Sequence, residues 1–310
     1  MDREVIFKKF KEMFDPLYAP LPDSTSYLRR IGLDPDELSP RQDREVSPKE
    51  SRFDFSPQIG AESNRKVIEK ADKETLDTLI RAHQRSVPFE NLDVYDADAD
   101  ISLGVPALYD KIVLRRRGGY CFELNGAFIA LLKSLGYDCY SVAVRIMPDM
   151  PLLMPLAHRA TIVTISGVRY FCDVGFGGPS PQNALLLDER GEQPSGPNVF
   201  IIEKDERGTV ISCLANGKKA GLFSFMETPY DPVDFIALNE NESRSKNSRF
   251  RVVRICNIVT ETGSIALSDN VLSIHDRGCT VERILKTEPE LRAALREHFG
   301  LVVNFPLKMV

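Results

Sequence analysis

The chain has 310 residues, 43% hydrophobic and 27% charged, close to globular averages, so it can bury a substantial core and disorder is excluded as its general state. At about 150 residues per domain, the length implies two domains or three small ones. Its 40 Lys and Arg against 45 Asp and Glu leave a net charge of −5, which excludes a nucleic-acid binder working through a global positive field.

The first expected element is a short helix over residues 5–14, where Ile6, Phe10 and Met13 recur at helical spacing before a break at Pro16, Pro20 and Pro22. Its basic, Phe-rich stripe is expected to pack on the body of the domain; a membrane-surface or partner-binding role is the other reading. Asp2, Arg3 and Glu4 stand where a signal peptide needs its apolar region, and no apolar run reaches the about 18–20 residues that span a bilayer. A cytoplasmic protein without a membrane partner is expected. Residues 34–54 carry 11 charged side chains and three prolines in 21 positions, the dense part of an exposed insertion over 34–66. Its steps Ser39-Pro40, Ser47-Pro48 and Ser56-Pro57 read as turns, or as phosphorylation sites.

Over residues 72–86, Leu76, Leu79, Ile80 and His83 fall on one helical stripe, which makes His83 a core histidine rather than a catalytic one. After Gly136 the texture changes to short β-branched runs at 139–146, 160–166, 168–174, 198–203 and 209–214, with turns at Ser166-Gly167 and 205–208. This predicts an antiparallel sheet or small barrel. Residues 250–259, 264–268 and 270–274 are expected to add strands. A last helix opens on the capping box Thr287-Glu288-Pro289-Glu290, buries Leu291, Ala294, Leu295 and His298, and stops at Gly300.

Six cysteines without a C-x-x-C pair suggest reduced thiols, not a zinc ribbon or a disulfide framework, and no metal is expected. One of them has an activating context. In Arg115-Arg116-Arg117-Gly118-Gly119-Tyr120-Cys121-Phe122-Glu123-Leu124-Asn125, the two glycines allow a tight entry into a helix whose first turn holds Cys121 and whose buried face is Phe128, Leu131, Leu132 and Leu135. Free N–H groups and the helix dipole favour a thiolate there, where pKa values of about 3.5 to 7.5 are reached. A buried cysteine used as a small hydrophobe fits the same position. His158 stands at a strand entrance, and Asp173 ends the strand that follows. A hairpin turning at Ser166-Gly167 sets the two nearly opposite each other, and an acid in such an apolar strand end needs a partner. A Cys, His, Asp trio would attack an acyl carbonyl through the thiolate, leaving open amide hydrolysis and acyl transfer. A catalytically silent binding protein is the third reading.

The segment Arg117–Asn125, with Val87-Pro88-Phe89-Glu90-Asn91-Leu92 upstream and Asp173-Val174-Gly175-Phe176-Gly177-Gly178 downstream, resembles the arylamine N-acetyltransferases in residues, order and spacing. The similarity runs from Tyr27 to about Leu272. The resemblance implies an α+β fold: an N-terminal helical bundle (1–136) bearing the cysteine helix, a central antiparallel β-barrel (137–238) supplying His and Asp, and a C-terminal α/β lid (239–310), with a papain- or transglutaminase-like core. It also implies that Cys121 is acylated by an acyl-CoA cosubstrate, acetyl-CoA first or propionyl- or malonyl-CoA, that His158 is base and acid, and that Asp173 orients it. The acceptor is then an arylamine or hydrazine, with Phe176 and Phe89 on the substrate side. Gly175, Gly177 and Gly178 are expected to let CoA approach the backbone, with Lys218 and Lys219 as phosphate candidates. Arg117 is expected to pair with Glu90 and hold the cysteine turn, while Arg115 and Arg116 read as a solvated run or as phosphate contacts. The leader before Tyr27 and the charged insertion exceed the compact family pattern.

Overall fold

A computed structural model describes residues 3–36, 71–147, 153–215 and 217–310; most of the charged insertion, with all three Ser-Pro steps, lies outside the described residues. Helix α1 (Arg3–Phe14) forms where the spacing predicts, but the expectation that it packs on the body is corrected: Val5, Phe10 and Met13 are exposed. The Pro16 break turns the chain away through a 3₁₀ turn (Asp15–Tyr18), so that Leu17 is buried and, of the helix's apolar residues, Phe14 reaches the core edge. Helix α2 (Ser24–Arg30) is capped by Asp23, whose carboxylate accepts from the N–H groups of Thr25 and Ser26. Helix α3 (Lys73–Ser86) is capped by Asp72 and buries Leu76, Leu79, Ile80 and His83.

His83 is structural. Its Nε2 lies 3.0 Å from the Tyr27 hydroxyl, and Phe128 meets the ring edge-on at 5.4 Å. Burial, aided by the Arg30 charge, pushes its pKa down to about 3. The unfolded chain therefore takes up this proton first, so the stability His83 contributes is complete above pH about 6.5 and is lost as pH falls toward 3, at about 1.4 kcal/mol per pH unit. His83→Gln is expected to flatten the acid limb of stability against pH by one proton in denaturant titrations between pH 6 and 4. An unchanged slope would contradict the assignment.

A short strand β1 (Phe89–Glu90) and two short helices, α4 (Leu92–Tyr95) and α5 (Val105–Tyr109), lead through a π turn (Asp110–Leu114) to α6 (Cys121–Ser134). Helix α6 is buried through Phe122, Leu124, Phe128, Leu131 and Leu132 and ends before Gly136, at φ +88°. Against it stands an eight-stranded antiparallel sheet made of β2 (Asp138–Ile146), β3 (His158–Ile165), β4 (Val168–Cys172), β5 (Leu185–Leu186), β6 (Gly191–Ser195), β7 (Asn198–Asp205), β8 (Gly208–Ala215) and β9 (Lys218–Phe225). The strand order β5-β4-β3-β2-β9-β8-β7-β6 curls into a barrel-like shape around Val142, Val144, Ile162, Phe171, Phe200, Ile202 and Phe223.

The remaining chain forms α7 (Phe235–Arg244), α8 (Arg249–Val252), β10 (Ile255–Val259), β11 (Gly263–Ser268), β12 (Val271–Asp276), β13 (Cys279–Ile284) and α9 (Glu288–Phe299). The strand expected over 250–259 is corrected in its first half: Ser248 accepts from the Phe250 N–H and caps a helical turn, and β10 starts only after Arg254. The second sheet, β1-β10-β11-β12-β13, takes β1 as an edge strand and so fastens the segment before the cysteine turn to the C-terminal part of the chain. In α9, Thr287 caps the Glu290 N–H, but the Glu290 carboxylate reaches Lys286 N–H instead of closing the box on Thr287. Phe299 takes the buried place at the end of α9, with His298 half-buried beside it, and Gly300 ends the helix at φ +65°. No helix among the described residues is long and apolar enough to cross a membrane.

Candidate active site

The site is built at the entrance to α6. Gly118 and Gly119 are there because nothing larger fits. A Cβ on Gly118 would lie 2.0 Å from the Pro88 carbonyl oxygen, and one on Gly119 would lie 2.7 Å from the Glu123 carboxylate. That carboxylate reaches back to accept from the Tyr120 N–H at 3.1 Å, closing the first turn. Cys121 is thereby fixed as the first helical residue, 2% exposed, with Sγ 3.7 Å from the Ala157 carbonyl oxygen.

His158 opens β3 and Asp173 follows β4. The hairpin turn uses Ser166 and Gly167 with φ of +52° and +82°, the geometry of a two-residue type I′ turn. This pairs Ile165 with Val168 and Thr161 with Cys172, a register that sets His158 and Asp173 diagonal to each other, on one face, rather than directly opposite. The diagonal suffices: His158 Nε2 lies 2.6 Å from Asp173 Oδ2, while the Cys121 thiol points to the carbonyl of Ala157, the residue before His158. With Asp173 accepting from Nε2–H, the neutral ring presents the Nδ1 lone pair as its free acceptor. Burial works to lower the His158 pKa, but the Asp173 charge and hydrogen bond, joined by Cys121, outweigh it and push it up to about 10. Burial, helped by nearby carboxylates, pushes the Cys139 thiol up to about 12 and holds Cys172 and Cys256 well above the usual thiol range.

Three residues that the sequence reading left unassigned complete the arrangement. Asn125, one turn after Cys121, donates through Nδ2 to Asp173 Oδ1 at 2.9 Å and to the Arg159 carbonyl at 2.6 Å, while its own oxygen accepts from Val174 N–H. Its i+4 spacing from Cys121 on one helix face was the available signal. Gln84 donates to the carbonyls of Asp173 and Pro181 from α3, and Phe223 on β9 stacks on the His158 ring at 5.5 Å; neither carries a local sequence signal.

Phe176 meets His158 edge-on at 5.8 Å. Phe89 is buried between Phe250, at 6.0 Å, and Gly177, where a Cβ would lie 3.0 Å from its ring. A Cβ on Gly178 would lie 2.8 Å from Phe176, and one on Gly175 would lie 2.7 Å from Asn125 and 3.0 Å from Cys121 Cα. The three glycines thus admit neighbours from the chain itself. Gly175 also donates its N–H to Asp173 Oδ1 at 2.8 Å.

Arg117 lies beneath the turn, 5% exposed, donating to Glu90 at 2.7 and 3.0 Å and to Asp93 at 2.8 Å. Lys111 joins Asp93 to Glu123, so the carboxylate that caps the cysteine turn belongs to this ionic cluster. Despite their burial, Lys111 and Arg117 are held above their usual ranges by these carboxylates. Arg115 pairs with Asp110 at the surface, and Arg116 bends the chain at φ +53°. Lys219 pairs with Glu203, four residues before Phe223 on β9, so at about 3.3 Å per residue the structure does not bring Lys218 and Lys219 to the triad. Among the described residues no group of three His, Cys, Asp or Glu side chains is placed to hold a metal ion.

A family model described as N-acetyltransferase matches residues 72–308. An arylamine N-acetyltransferase of Mycobacterium tuberculosis is 33% identical over 236 residues, spanning 74% of this chain and 83% of that protein. Among solved structures, the M. tuberculosis arylamine N-acetyltransferase superposes with a TM-score of 0.74 at 29% identity, over 90% of this chain and 93% of its own. The Mycobacterium marinum arylamine N-acetyltransferase in complex with CoA gives 0.73 at 28% identity, over 90% and 92%.

Proposed function

We propose, from the premise that the chain belongs to the arylamine N-acetyltransferase family and is an acyltransferase of that type, that it works by a ping-pong reaction through Cys121. His158 takes the Cys121 proton, and the sulfur attacks the carbonyl of an acyl-CoA thioester. The carbon–sulfur bond to CoA breaks, CoA leaves as its thiol with the proton returned by His158, and the acyl group stays on Cys121. An arylamine or hydrazine then attacks this second thioester, gives its proton to His158, and leaves as the amide while the Cys121 sulfur is released. Asp173 holds the ring with Nδ1 free and balances the imidazolium charge.

The observation that carries this reading is the 2.6 Å contact of Asp173 with His158 Nε2, with the Cys121 thiol against the carbonyl of the preceding residue, Ala157. CoA binding by the M. marinum relative supports a CoA thioester as donor, with acetyl-CoA the first choice and propionyl- or malonyl-CoA as alternatives. The Gly175–Gly178 turn beside His158 is the proposed approach for CoA, and Phe176 the proposed wall of the acceptor site. Initial rates with acetyl-CoA and an aniline, varied together, are expected to give parallel double-reciprocal lines. Intersecting lines would overturn the ping-pong order, and rapid amide cleavage without CoA would favour a cysteine hydrolase.

A further inference from the structure

The second sheet ends in an open edge. Its last strand, β13, is exposed along its whole length, with Val281 at 65% and Ile284 at 66%, and among the described residues its backbone meets no partner beyond the ladder to β12. The hairpin from β12 turns on Arg277 and Gly278, at φ of +46° and +80°, so Asp276 and Cys279 close it as a hydrogen-bonded pair. Alternation along the ladder then aims the N–H and C=O groups of Cys279, Val281 and Arg283 at β12, and those of Thr280, Glu282 and Ile284 out from the edge. Exposed edges are ordinarily guarded by proline, lysine or a bulge. Between Cys279 and Ile284 there is neither proline nor lysine, and the register with β12 is unbroken. The polar side chains here are tied back from the edge: Glu282 accepts from Ser273 Oγ at 3.1 Å, and the Thr280 hydroxyl lies 2.9 Å from His275 Nδ1.

The side chains are cut short at the same edge. Ile258, Ile265, Ile274 and Val281 stand opposite one another on successive strands, a single apolar row across the sheet. The row lies on the face where Cys256, Leu267 and Leu272 pack with Leu291 and Leu295 of α9. It begins with half-buried Ile258 and Ile265 and ends on exposed Val281.

We propose that β13 is the interface between two copies of this chain, paired antiparallel across a two-fold axis at Val281. In that register each Val281 faces its own copy, and the apolar row runs on into the second sheet. Thr280 falls opposite the second copy's Glu282; both carry outward backbone groups, so they exchange hydrogen bonds, and the axis repeats the exchange. Cys279 lies beside the second copy's Arg283, and Ile284 lies over the second copy's Gly278, where no side chain stands in its way. The competing register, with Glu282 on the axis, sets two carboxylates directly opposite each other and places Val281 against Arg283. Charge and apolar contact therefore both select the register centred on Val281.

The test is the mass of the full chain in solution, by sedimentation equilibrium from about 1 to 100 µM, since an interface as small as one edge strand per copy gives a weak, concentration-dependent dimer. The mass is expected to rise toward twice that of one chain. Glu282→Pro removes an outward N–H without touching the β12 ladder, and Val281→Lys places two ammonium groups on the axis. Both are expected to stay at the mass of one chain over the same range, with the circular dichroism of the wild type. Where Glu282→Pro does not fold, Val281→Lys, at an exposed position, decides alone. The register is tested in the double variant Cys279→Ser, Val281→Cys, which is expected to form a disulfide-linked dimer on mild oxidation, because a pair without hydrogen bonds brings its Cα atoms to about 4.5 Å. Wild-type Cys279, well off the axis, is expected to form none. The mass of one chain at every concentration would overturn the proposal, as would a dimer that persists in Val281→Lys or one that the double variant fails to cross-link.

Discussion

Asp173→Asn is expected to lower turnover by up to about 10⁴-fold while leaving the fold intact. The magnitude follows from how the carboxylate is held. Oδ1 accepts from two donors, Asn125 Nδ2 and Gly175 N–H, so an amide at this position must keep its oxygen there and turn its NH₂ toward His158. The ring must then accept at Nε2, which puts its proton on Nδ1 and removes the lone pair that takes the Cys121 proton. The check is kcat for acetyl transfer on a variant whose thermal unfolding matches wild type. Activity within tenfold of wild type would mean that another acid orients His158.

Arg117→Ala is expected to cost about 3–5 kcal/mol of unfolding free energy, the usual penalty for leaving buried carboxylates without their cation. Glu90 is 1% exposed, and its other hydrogen bond is to the Leu92 N–H, so loss of the guanidinium strands its charge and removes one of the two cations that hold Asp93. The damage reaches the reaction indirectly, through Lys111 and Glu123, which cap the turn that presents Cys121. Denaturant unfolding measures the effect. A variant of normal stability that had lost only CoA affinity would contradict the structural role and move Arg117 to the substrate.

The parts of this site written in local signals were readable without coordinates. The Gly118-Gly119 entry, the apolar spacing after Cys121 and the stop at Gly136 defined α6, and the Ser166-Gly167 hairpin brought His158 toward Asp173. Local reading failed where partners come from far along the chain. Phe223 stacks on His158 from a strand that opens with Lys218, Lys219 and Gly221, a start with neither β-branched residues nor alternation, so β9 went unseen. Residues 250–253 read as strand because Phe250, Val252 and Val253 favour it, yet the Ser248 cap makes Arg249–Val252 a helical turn. At α1 the periodicity was sufficient to predict a helix but silent on what it packs against, because an apolar stripe has the same spacing whether covered or exposed.

The central claim is that Cys121 carries the acyl group between donor and acceptor, and the most direct measurement is the intact mass of the protein after acetyl-CoA is added without an amine. The account predicts a gain of one acetyl group, mapped to the Cys121 peptide, absent in Cys121→Ala and discharged when an arylamine is supplied. An unmodified mass in a folded, CoA-binding protein, or an acetyl group that persists in Cys121→Ala, would contradict it.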